Sequence, residues 1–231
     1  MPSVEFNSLI IEPEPLPGSR NMAVDEALLE AAVNDGRCAV RVYRWCEPTV
    51  SLGYFQRHED VEADSPLAGL AVVRRFTGGG AILHHHEWTY SCALPAGHPA
   101  AAVPYDLYAT VHRAIMNVLR DRGVSAQSRS DDTRTDLRGL TPSGSPFLCF
   151  SRRDPNDVVL NGRKIVGSAQ RRRKGAVLQH GSILVRASKH APHLPGIADL
   201  VSGFRDDSLL GEHLGTAIAE SLTGERRAPA R

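Results

Sequence analysis

A cysteine and a lysine, Cys149 and Lys164, are the side chains best suited to covalent chemistry, and they lie fifteen positions apart. The thiolate, not the thiol, attacks carbonyl carbons, and a free thiol titrates at about pH 8.5. A nearby ammonium group favours the thiolate. A Cys and a Lys on neighbouring strands therefore predict an activated nucleophile for acyl transfer. Attack on a thioester yields another thioester of nearly equal free energy, so this chemistry needs no ATP.

Each of the two residues also has a structural interpretation. Cys149 stands between Leu148 and Phe150, where a free cysteine is often a small buried hydrophobic residue. Lys164 fits an ordinary exposed lysine equally well. The composition favours a specific role for Lys164, because the chain has 24 Arg but only three Lys. A point charge and a planar guanidinium are not interchangeable.

The residues around Lys164 predict a β-hairpin. An Asn-Gly turn at 161–162 separates the apolar runs 158–160 and 165–166, which is the strongest short-range signal for such a hairpin. The residues that follow are small and leave room for a ligand close to the backbone. They are Gly167, Ser168 and Ala169.

A run of three glycines, at 78–80, follows an apolar run at 70–73 that we expect to be a buried strand. Exposed N–H groups in such a loop hold an anion or a carbonyl oxygen. Together with N–H groups around 167–168, they are candidates to stabilise the oxyanion of acyl transfer. The spacing matches neither a P-loop nor a dinucleotide-binding turn, and a flexible hairpin tip is the alternative interpretation.

Two sequence blocks resemble the signatures of a known superfamily. The first reads R-R-x-T-G-G-G-A-I-x-H over 74–84, and the second reads G-x-K-I-x-G-S-A-Q-x-R over 162–172, followed by Q-H-G-S-I-L at 179–184. They resemble the superfamily of lipoate-protein ligases and octanoyltransferases, which is related to the biotin protein ligases. Blocks at 21–29 and 41–56 are also similar, so the resemblance covers roughly residues 5–200.

The resemblance implies a fold and a set of site residues. The expected fold is of the α/β (α+β) class, with a mixed β-sheet flanked by helices, as in the biotin/lipoate protein ligase-like catalytic domain. The expected catalytic residues are Cys149 and Lys164. The residues expected to bind the acyl substrate are Arg75, Gly78, Gly79, Gly80, Ala81, His84, Gly167, Ser168, Ala169 and His180.

The resemblance also implies an activity. A Cys-Phe pair at 149–150 and the pattern H-x-x-E-x-T-Y-S at 84–91 are typical of members that take octanoate from acyl carrier protein through a cysteine thioester. The expected acceptor is a lysine on a lipoyl domain of a 2-oxoacid dehydrogenase or on the glycine-cleavage H protein. No cofactor is required, since the donor substrate is the octanoyl-phosphopantetheine of the carrier.

Three alternatives remain open at this point. The Gly-Gly-Gly form of the loop is also typical of ATP-dependent lipoate-protein ligases, which would need ATP and Mg²⁺ and would use Lys164 to contact an acyl-adenylate. An amidotransferase would move lipoyl groups between proteins through Cys149. The third alternative is not an enzyme but a protein that binds a lipoylated protein or nucleic acid without catalysis.

Length and composition predict a single catalytic domain. The 231 residues carry a net charge of +1, and we expect one domain over 1–231 with its core at about 20–205. The sequence shows no signal peptide and no apolar run of membrane-spanning length, so no membrane association is expected. Four cysteines without C-x-x-C spacing fit reduced thiols and a cytoplasmic location.

Hydrophobic patterning places the remaining elements. We expect a helix over 21–33 capped by Asn21, strands over 39–45 and 49–53, and a helix over 105–122. A mobile loop is expected at about 126–146, just before Cys149, and a last helix at about 208–222.

Two further clusters suggest a metal site and a nucleic-acid site, and we expect neither. We expect no metal site at the three histidines 84–86, because adjacent side chains on a strand point to opposite faces and cannot all reach one ion. The basic run at 171–174 is short and lacks interleaved aromatic residues, so we expect a solvated hairpin tip and no nucleic acid partner. Docking of an acidic carrier protein or lipoyl domain is the functional alternative for this run.

Overall fold

The computed structural model describes residues 8–61, 66–131, 147–207 and 209–223, and its largest element is a mixed seven-stranded sheet. The strand order is β1-β2-β6-β10-β9-β8-β7, with β1 and β2 parallel and every other neighbouring pair antiparallel. The strands are β1 (Ser8–Ile11), β2 (Ala39–Tyr43), β6 (Glu87–Leu94), β7 (Gln127–Ser128), β8 (Val158–Leu160), β9 (Arg163–Arg173) and β10 (Ala176–Leu184).

A second, three-stranded sheet has the order β4-β3-β5 and carries the glycine loop between two of its strands. Its strands are β3 (Thr49–Leu52), β4 (Ala71–Arg74) and β5 (Ile82–His84). Strand β3 is parallel to β4 and antiparallel to β5. The mixed sheets confirm the α/β (α+β) class that the sequence predicts.

Helices cover both faces of the large sheet. They are α1 (Gly18–Asp35), α2 (Pro104–Asp121), α3 (Ile197–Leu200) and α4 (Leu209–Leu222). Helix α1 packs against β6 and β10, whereas α2 and α4 pack against each other on the opposite face. Alternate residues of β10 serve the two cores, with Val177 facing the α2–α4 side and Leu178 the α1 side. Cover on both faces explains why β10 is buried throughout.

Several sequence predictions hold closely and others need correction. Helix α2 and its apolar face are confirmed, as are α4 and the hairpin at 158–166. Helix α1 begins at Gly18 after Pro17, so Asn21 is not its cap but an internal, fully buried residue. Its side-chain amide donates to the backbone oxygens of Leu16 and Arg44. Asn21 is therefore polar because it makes these tertiary hydrogen bonds, and not because it caps the helix as the sequence predicted.

Two further corrections concern the loops around the site. Strand β4, one of the two edge strands of the small sheet, is only partly buried, so the prediction of a buried strand was wrong. The predicted mobile loop at 126–146 is ordered over 127–131, as β7 and a 3-10 turn. Residues 132–146 lie outside the described residues. Among the described helices, none combines the length and the apolar character that a membrane crossing requires.

Candidate active site

The hairpin that carries Lys164 turns through two left-handed residues, Asn161 with φ 51° and Gly162 with φ 74°. Two consecutive positive φ values are the mark of a type I′ turn, which matches the twist of the flanking strands. The turn fixes the register in which Lys164 pairs with Val159 of β8. It thereby sets the face of β9 from which the ammonium projects.

The side chain of Lys164 is 5% exposed and makes three contacts. Its Nζ lies 2.7 Å from Oδ1 of Asp157, 3.4 Å from the backbone oxygen of Cys149, and 5.2 Å from the ring centre of Phe150. A Cβ on Gly167 would lie 2.5 Å from Cε of Lys164. The small residue at 167 therefore makes room for the lysine of its own strand, whereas the sequence reading assigned that room to a ligand.

Asp157 holds the ammonium in place. Its carboxylate also lies 3.4 Å from Nε of Arg129 and accepts the backbone N–H of Asp154. Burial raises the pKa of Asp157, while the adjoining Lys164 and Arg129 cations act to lower it. The sequence reading missed Asp157, although a single acidic residue directly before the apolar run of β8 was a signal for it.

Cys149 opens a 3-10 turn that ends at Ser151. The prediction of a Cys and a Lys on neighbouring strands was therefore wrong for the cysteine. Its N–H donates to the oxygen of Ala81 at 2.7 Å, and the N–H of Ala81 donates to Phe147 at 3.0 Å. These bonds tie the end of the glycine loop to the segment that bears the half-buried thiol.

Arg75 fixes the glycine loop through hydrogen bonds to its backbone. Its guanidinium donates to the carbonyls of Gly78 and Gly80 at 3.2 and 2.9 Å, and to both oxygens of Ser51. Burial lowers the pKa of Arg75 to about 10, while a negative charge at Cys149 raises it. Arg75 is thus protonated at neutral pH, and its charge reaches the thiol. Arg75 is therefore a second cation close to the cysteine segment, in addition to Lys164.

These elements meet at one cleft of about 520 Å³. Its walls bring together several of the residues that the sequence marked and several that it did not. The marked residues are Gly79, Gly80, Cys149, Lys164 and Ser168. The unmarked residues are Pro104, Tyr105, Tyr108, His112, Arg152, Arg153, Asp154, Asn156, Asp157 and Gln170.

Three other marked residues, Arg75, His84 and His180, line a separate, narrow cavity of about 10 Å³. His84 contacts Glu87 through Nδ1 at 2.7 Å and Ser51 through Nε2 at 2.6 Å. His180 contacts Thr77 through Nε2 at 2.7 Å. The cavity is too narrow for a chain of methylenes in this structure, and its histidines are held by buried hydrogen bonds.

Ala81 is completely buried, beside an apolar pocket that Leu148 and Phe150 also line. Gly167 faces Lys164, as described above, and the positions of the two residues after it follow the pairing of β9. Ser168 lies opposite Gly181 of β10, and Ala169 lies opposite His180. A Cβ added at Gly78 would have no atom within 4 Å.

The histidine run and the basic run have ordinary surroundings. Strand β5 ends at His84, so His85 and His86 lie in the turn that follows. Their rings stack at 3.6 Å, and the alternation predicted for a strand does not apply to them. Within the described ranges, no three His, Cys, Asp or Glu side chains are arranged to hold a metal ion. The basic run forms the exposed β9–β10 hairpin tip, as predicted.

The model of the lipoyl protein ligase A/B catalytic domain matches residues 17–197. The chain belongs to this family. Both signature blocks and the pair of Cys149 and Lys164 lie within the matched span, so the family resemblance drawn from the motifs is confirmed.

Relatives within the family are identical to this chain at more than a third of the aligned positions. It is 36% identical to octanoyltransferase LipM of Carboxydothermus hydrogenoformans over 73% of its length and 40% identical to that of Geobacillus kaustophilus, also over 73%. It spans only 61% and 62% of those two relatives. With octanoyltransferase LipM of Symbiobacterium thermophilum, it shares 35% identity over 95% of its length and 80% of the relative.

Solved structures of the family share the fold. The bipartite lipoate protein ligase of Thermoplasma acidophilum superposes with a TM-score of 0.66 at 22% identity, over 94% of this chain and 84% of that one. A lipoate-protein ligase A bound with ATP superposes with a TM-score of 0.60 at 24% identity, over 94% and 83%. At this identity the likeness establishes the architecture of the catalytic domain.

Proposed function

We propose that this chain transfers an octanoyl group from the phosphopantetheine thioester of acyl carrier protein to a lysine of a lipoyl domain or of glycine-cleavage H protein. The observation that carries the proposal is the meeting of Cys149 and Lys164 at one cleft, with Nζ 3.4 Å from the backbone oxygen of the cysteine. The octanoyltransferase names of relatives at 35% to 40% identity support it.

In the first half-reaction the sulfur of Cys149 attacks the carbonyl carbon of the donor thioester. A new C–S bond forms, the C–S bond to phosphopantetheine breaks, and the proton of the Cys149 thiol ends on the departing sulfur. Lys164 and Arg75 favour the attacking thiolate, and backbone N–H groups near Gly79 and Gly80 stabilise the oxyanion. The exchange is nearly neutral in free energy, so neither ATP nor another cofactor is required.

In the second half-reaction the ε-amine of the acceptor lysine attacks the thioester on Cys149. A C–N bond forms, the C–S bond breaks, and one proton passes from nitrogen to sulfur. The product is an amide, which is more stable than the thioester it replaces. This difference drives transfer to the acceptor without another source of energy.

An ATP-dependent lipoate-protein ligase is the second candidate. Two arginines, Arg152 and Arg153, line the cleft beside Lys164, and cations at this place also suit the phosphate of an acyl-adenylate. In that case Lys164 would contact the adenylate and Cys149 would have no covalent role.

The two candidates separate by their energy source. The purified chain is incubated with an acceptor lipoyl domain and either octanoyl-carrier without ATP, or free octanoate or lipoate with ATP and Mg²⁺. We expect the acceptor to gain an octanoyl group from the carrier alone. Modification from the free acid with ATP, and none from octanoyl-carrier, would identify a ligase. Lipoyl transfer from a lipoylated protein, with none from octanoyl-carrier, would identify an amidotransferase.

A further inference from the structure

The wall of the cleft contains a hydrogen-bonded pair, His112 of α2 and Ser168 of β9, that the steps above do not use. Nε2 of His112 lies 2.7 Å from Oγ of Ser168. Nδ1 of His112 lies 2.6 Å from the backbone oxygen of Asn156. The imidazole is 4% exposed, whereas Ser168 is half-buried at the cleft surface.

The partners of His112 decide where each proton lies. The carbonyl of Asn156 only accepts, so Nδ1 carries the ring proton. Burial lowers the pKa of His112 to about 4, and the nearby Lys164 charge acts in the same direction, while Asp154 opposes it. The ring is therefore neutral at pH 7 and its Nε2 is an acceptor. The hydroxyl of Ser168 must donate its only proton to Nε2.

The same reasoning orients the bonds on the far side of Ser168. Tyr90 Oη lies 2.7 Å from Ser168 Oγ, and it accepts the side-chain N–H of Gln179 at 2.8 Å. Since the Ser168 proton is committed to His112, the Tyr90 hydroxyl donates to Ser168. One lone pair of the Ser168 oxygen is left without a partner among these bonds, and Ser168 lines the cleft. Ser168 thus accepts hydrogen bonds from a ligand and has no proton to give one.

The fold makes space for this arrangement. Gly181 of β10 lies directly opposite Ser168, and a Cβ at that position would come within 2.2 Å of the Ser168 oxygen. On the same strand as Ser168, Gly167 contacts Lys164, which reaches the backbone of Cys149. Ser168, Lys164 and Cys149 all line the same cleft.

We propose that Ser168 holds the attacking amine of the acceptor lysine in the second half-reaction, and that His112 is a positioning residue that fixes the Ser168 hydroxyl. This inference rests on the proposed function. The amine donates one N–H to Ser168 Oγ, which leaves its lone pair free to attack the thioester carbon on Cys149.

The chemistry of the reactants selects the amine. A thioester carbonyl and its oxyanion need donors, and Ser168 offers none. The amine nitrogen gains positive charge as the C–N bond forms, so its N–H bond to Ser168 strengthens in the transition state. Lys164 cannot serve in this way, because its ammonium is a donor that is already engaged with Asp157.

The two half-reactions are measured separately by rapid quench and intact mass. Acylation is followed with octanoyl-carrier alone, and transfer is followed after addition of an acceptor lipoyl domain to the acylated chain. We expect Ser168→Ala to acylate at nearly the wild-type rate and to transfer roughly 10- to 100-fold more slowly, the scale of one hydrogen bond to a charged group. Ser221→Ala, which removes a hydroxyl of α4, is the matched control.

His112 is tested through Ser168. His112→Phe removes the acceptor and is expected to slow transfer, whereas His112→Gln offers the Ser168 hydroxyl a carbonyl and is expected to restore much of the rate. In the Ser168→Ala background, His112→Phe is expected to cost nothing more, because coupled residues are not additive.

Three results overturn the inference while the proposed function stands. They are wild-type transfer by Ser168→Ala, equal losses in acylation and transfer, and multiplicative costs in the double variant. A wild-type chain that never carries the octanoyl group contradicts the proposed function itself, and this inference with it.

Discussion

At the scale of single residues, the proposed site contains two cations whose positions are fixed by buried hydrogen-bond partners. Lys164 is bonded to Asp157, and Arg75 is enclosed by carbonyl oxygens of the glycine loop. Lys164 also reaches the backbone oxygen of Cys149, and the positions of both cations are fixed by buried partners. Such fixed charges stabilise a developing anion without reorganising during the reaction.

Lys164 separates charge from shape in a mutational test. Lys164→Met removes one of two cations near the thiol, so we expect iodoacetamide to alkylate Cys149 only at higher pH than in the wild type. Lys164→Arg keeps the charge and should keep most of the wild-type alkylation profile. It should still slow octanoyl transfer, because the pocket beside Gly167 fits a narrow ammonium and not a planar guanidinium.

Asp157→Asn is the companion variant, because it keeps Lys164 but removes the carboxylate charge that fixes the position of its ammonium. An unchanged alkylation profile in Lys164→Met would show that the ammonium does not act on Cys149. Normal turnover in Lys164→Arg would show that the shape of the cation is irrelevant.

The lowered pKa of His112 predicts that the free energy of unfolding depends on pH. Its folded-state pKa of about 4 lies below the unfolded value of about 6.5. Between these values the unfolded chain binds the extra proton, so the contribution is complete above about pH 6.5 and is lost as pH falls towards 4. We expect wild type to lose roughly 3 kcal/mol more than His112→Gln between pH 7 and pH 4.

Urea unfolding at a series of pH values measures this difference. His84, whose pKa burial also lowers, titrates in both proteins and cancels in the comparison. His213→Gln changes an exposed histidine of α4 and should follow the wild type. Parallel curves for wild type and His112→Gln would contradict the assigned neutral state of the ring.

At the scale of elements, close backbone contacts position the glycine loop. Gly53 follows β3, and a Cβ there would lie 2.1 Å from the backbone oxygen of Gly79. Because the obstacle is backbone, Gly53→Ala must displace the loop, and we expect it to lower the free energy of unfolding by about 1–3 kcal/mol. Acylation of Cys149 should slow as well, since the same loop is tied to the cysteine segment through Ala81.

Gly78→Ala is the matched control for stability. Nothing lies within 4 Å of a Cβ at this position, and its backbone is not left-handed. We expect its free energy of unfolding to stay within about 0.5 kcal/mol of the wild type. Equal destabilisation by the two alanines, in denaturant unfolding, would argue against a close contact between β3 and the loop.

At the scale of the whole molecule, local patterns predicted the elements well and their partners poorly. The Asn-Gly hairpin and the apolar face of α2 depend on neighbouring residues, and both are confirmed. The bonds of Lys164 to Asp157 and of His112 to Ser168 depend on how β8, β9 and α2 assemble. His112 stands on the buried face of α2, which was a signal for a specific partner, but no local pattern could name that partner.

The turn that bears Cys149 shows the same limit. The motif marked the residue, but the bridge between Ala81 and Leu148 sets its backbone. These positions are 67 residues apart in the chain, counted from the two residue numbers. Only the assembled sheets bring them together, so the sequence predicted a strand where the structure has a 3-10 turn.

The central claim, that Cys149 carries the octanoyl group, is tested most directly by the intact mass of the chain after mixing with octanoyl-carrier in the absence of ATP and acceptor. We predict a gain of one octanoyl group that hydroxylamine removes and that the acceptor lipoyl domain discharges. Cys46→Ser, a change at an exposed cysteine, should still carry the group, and Cys149→Ser should carry no hydroxylamine-labile adduct. Full transfer activity in Cys149→Ala would contradict the account.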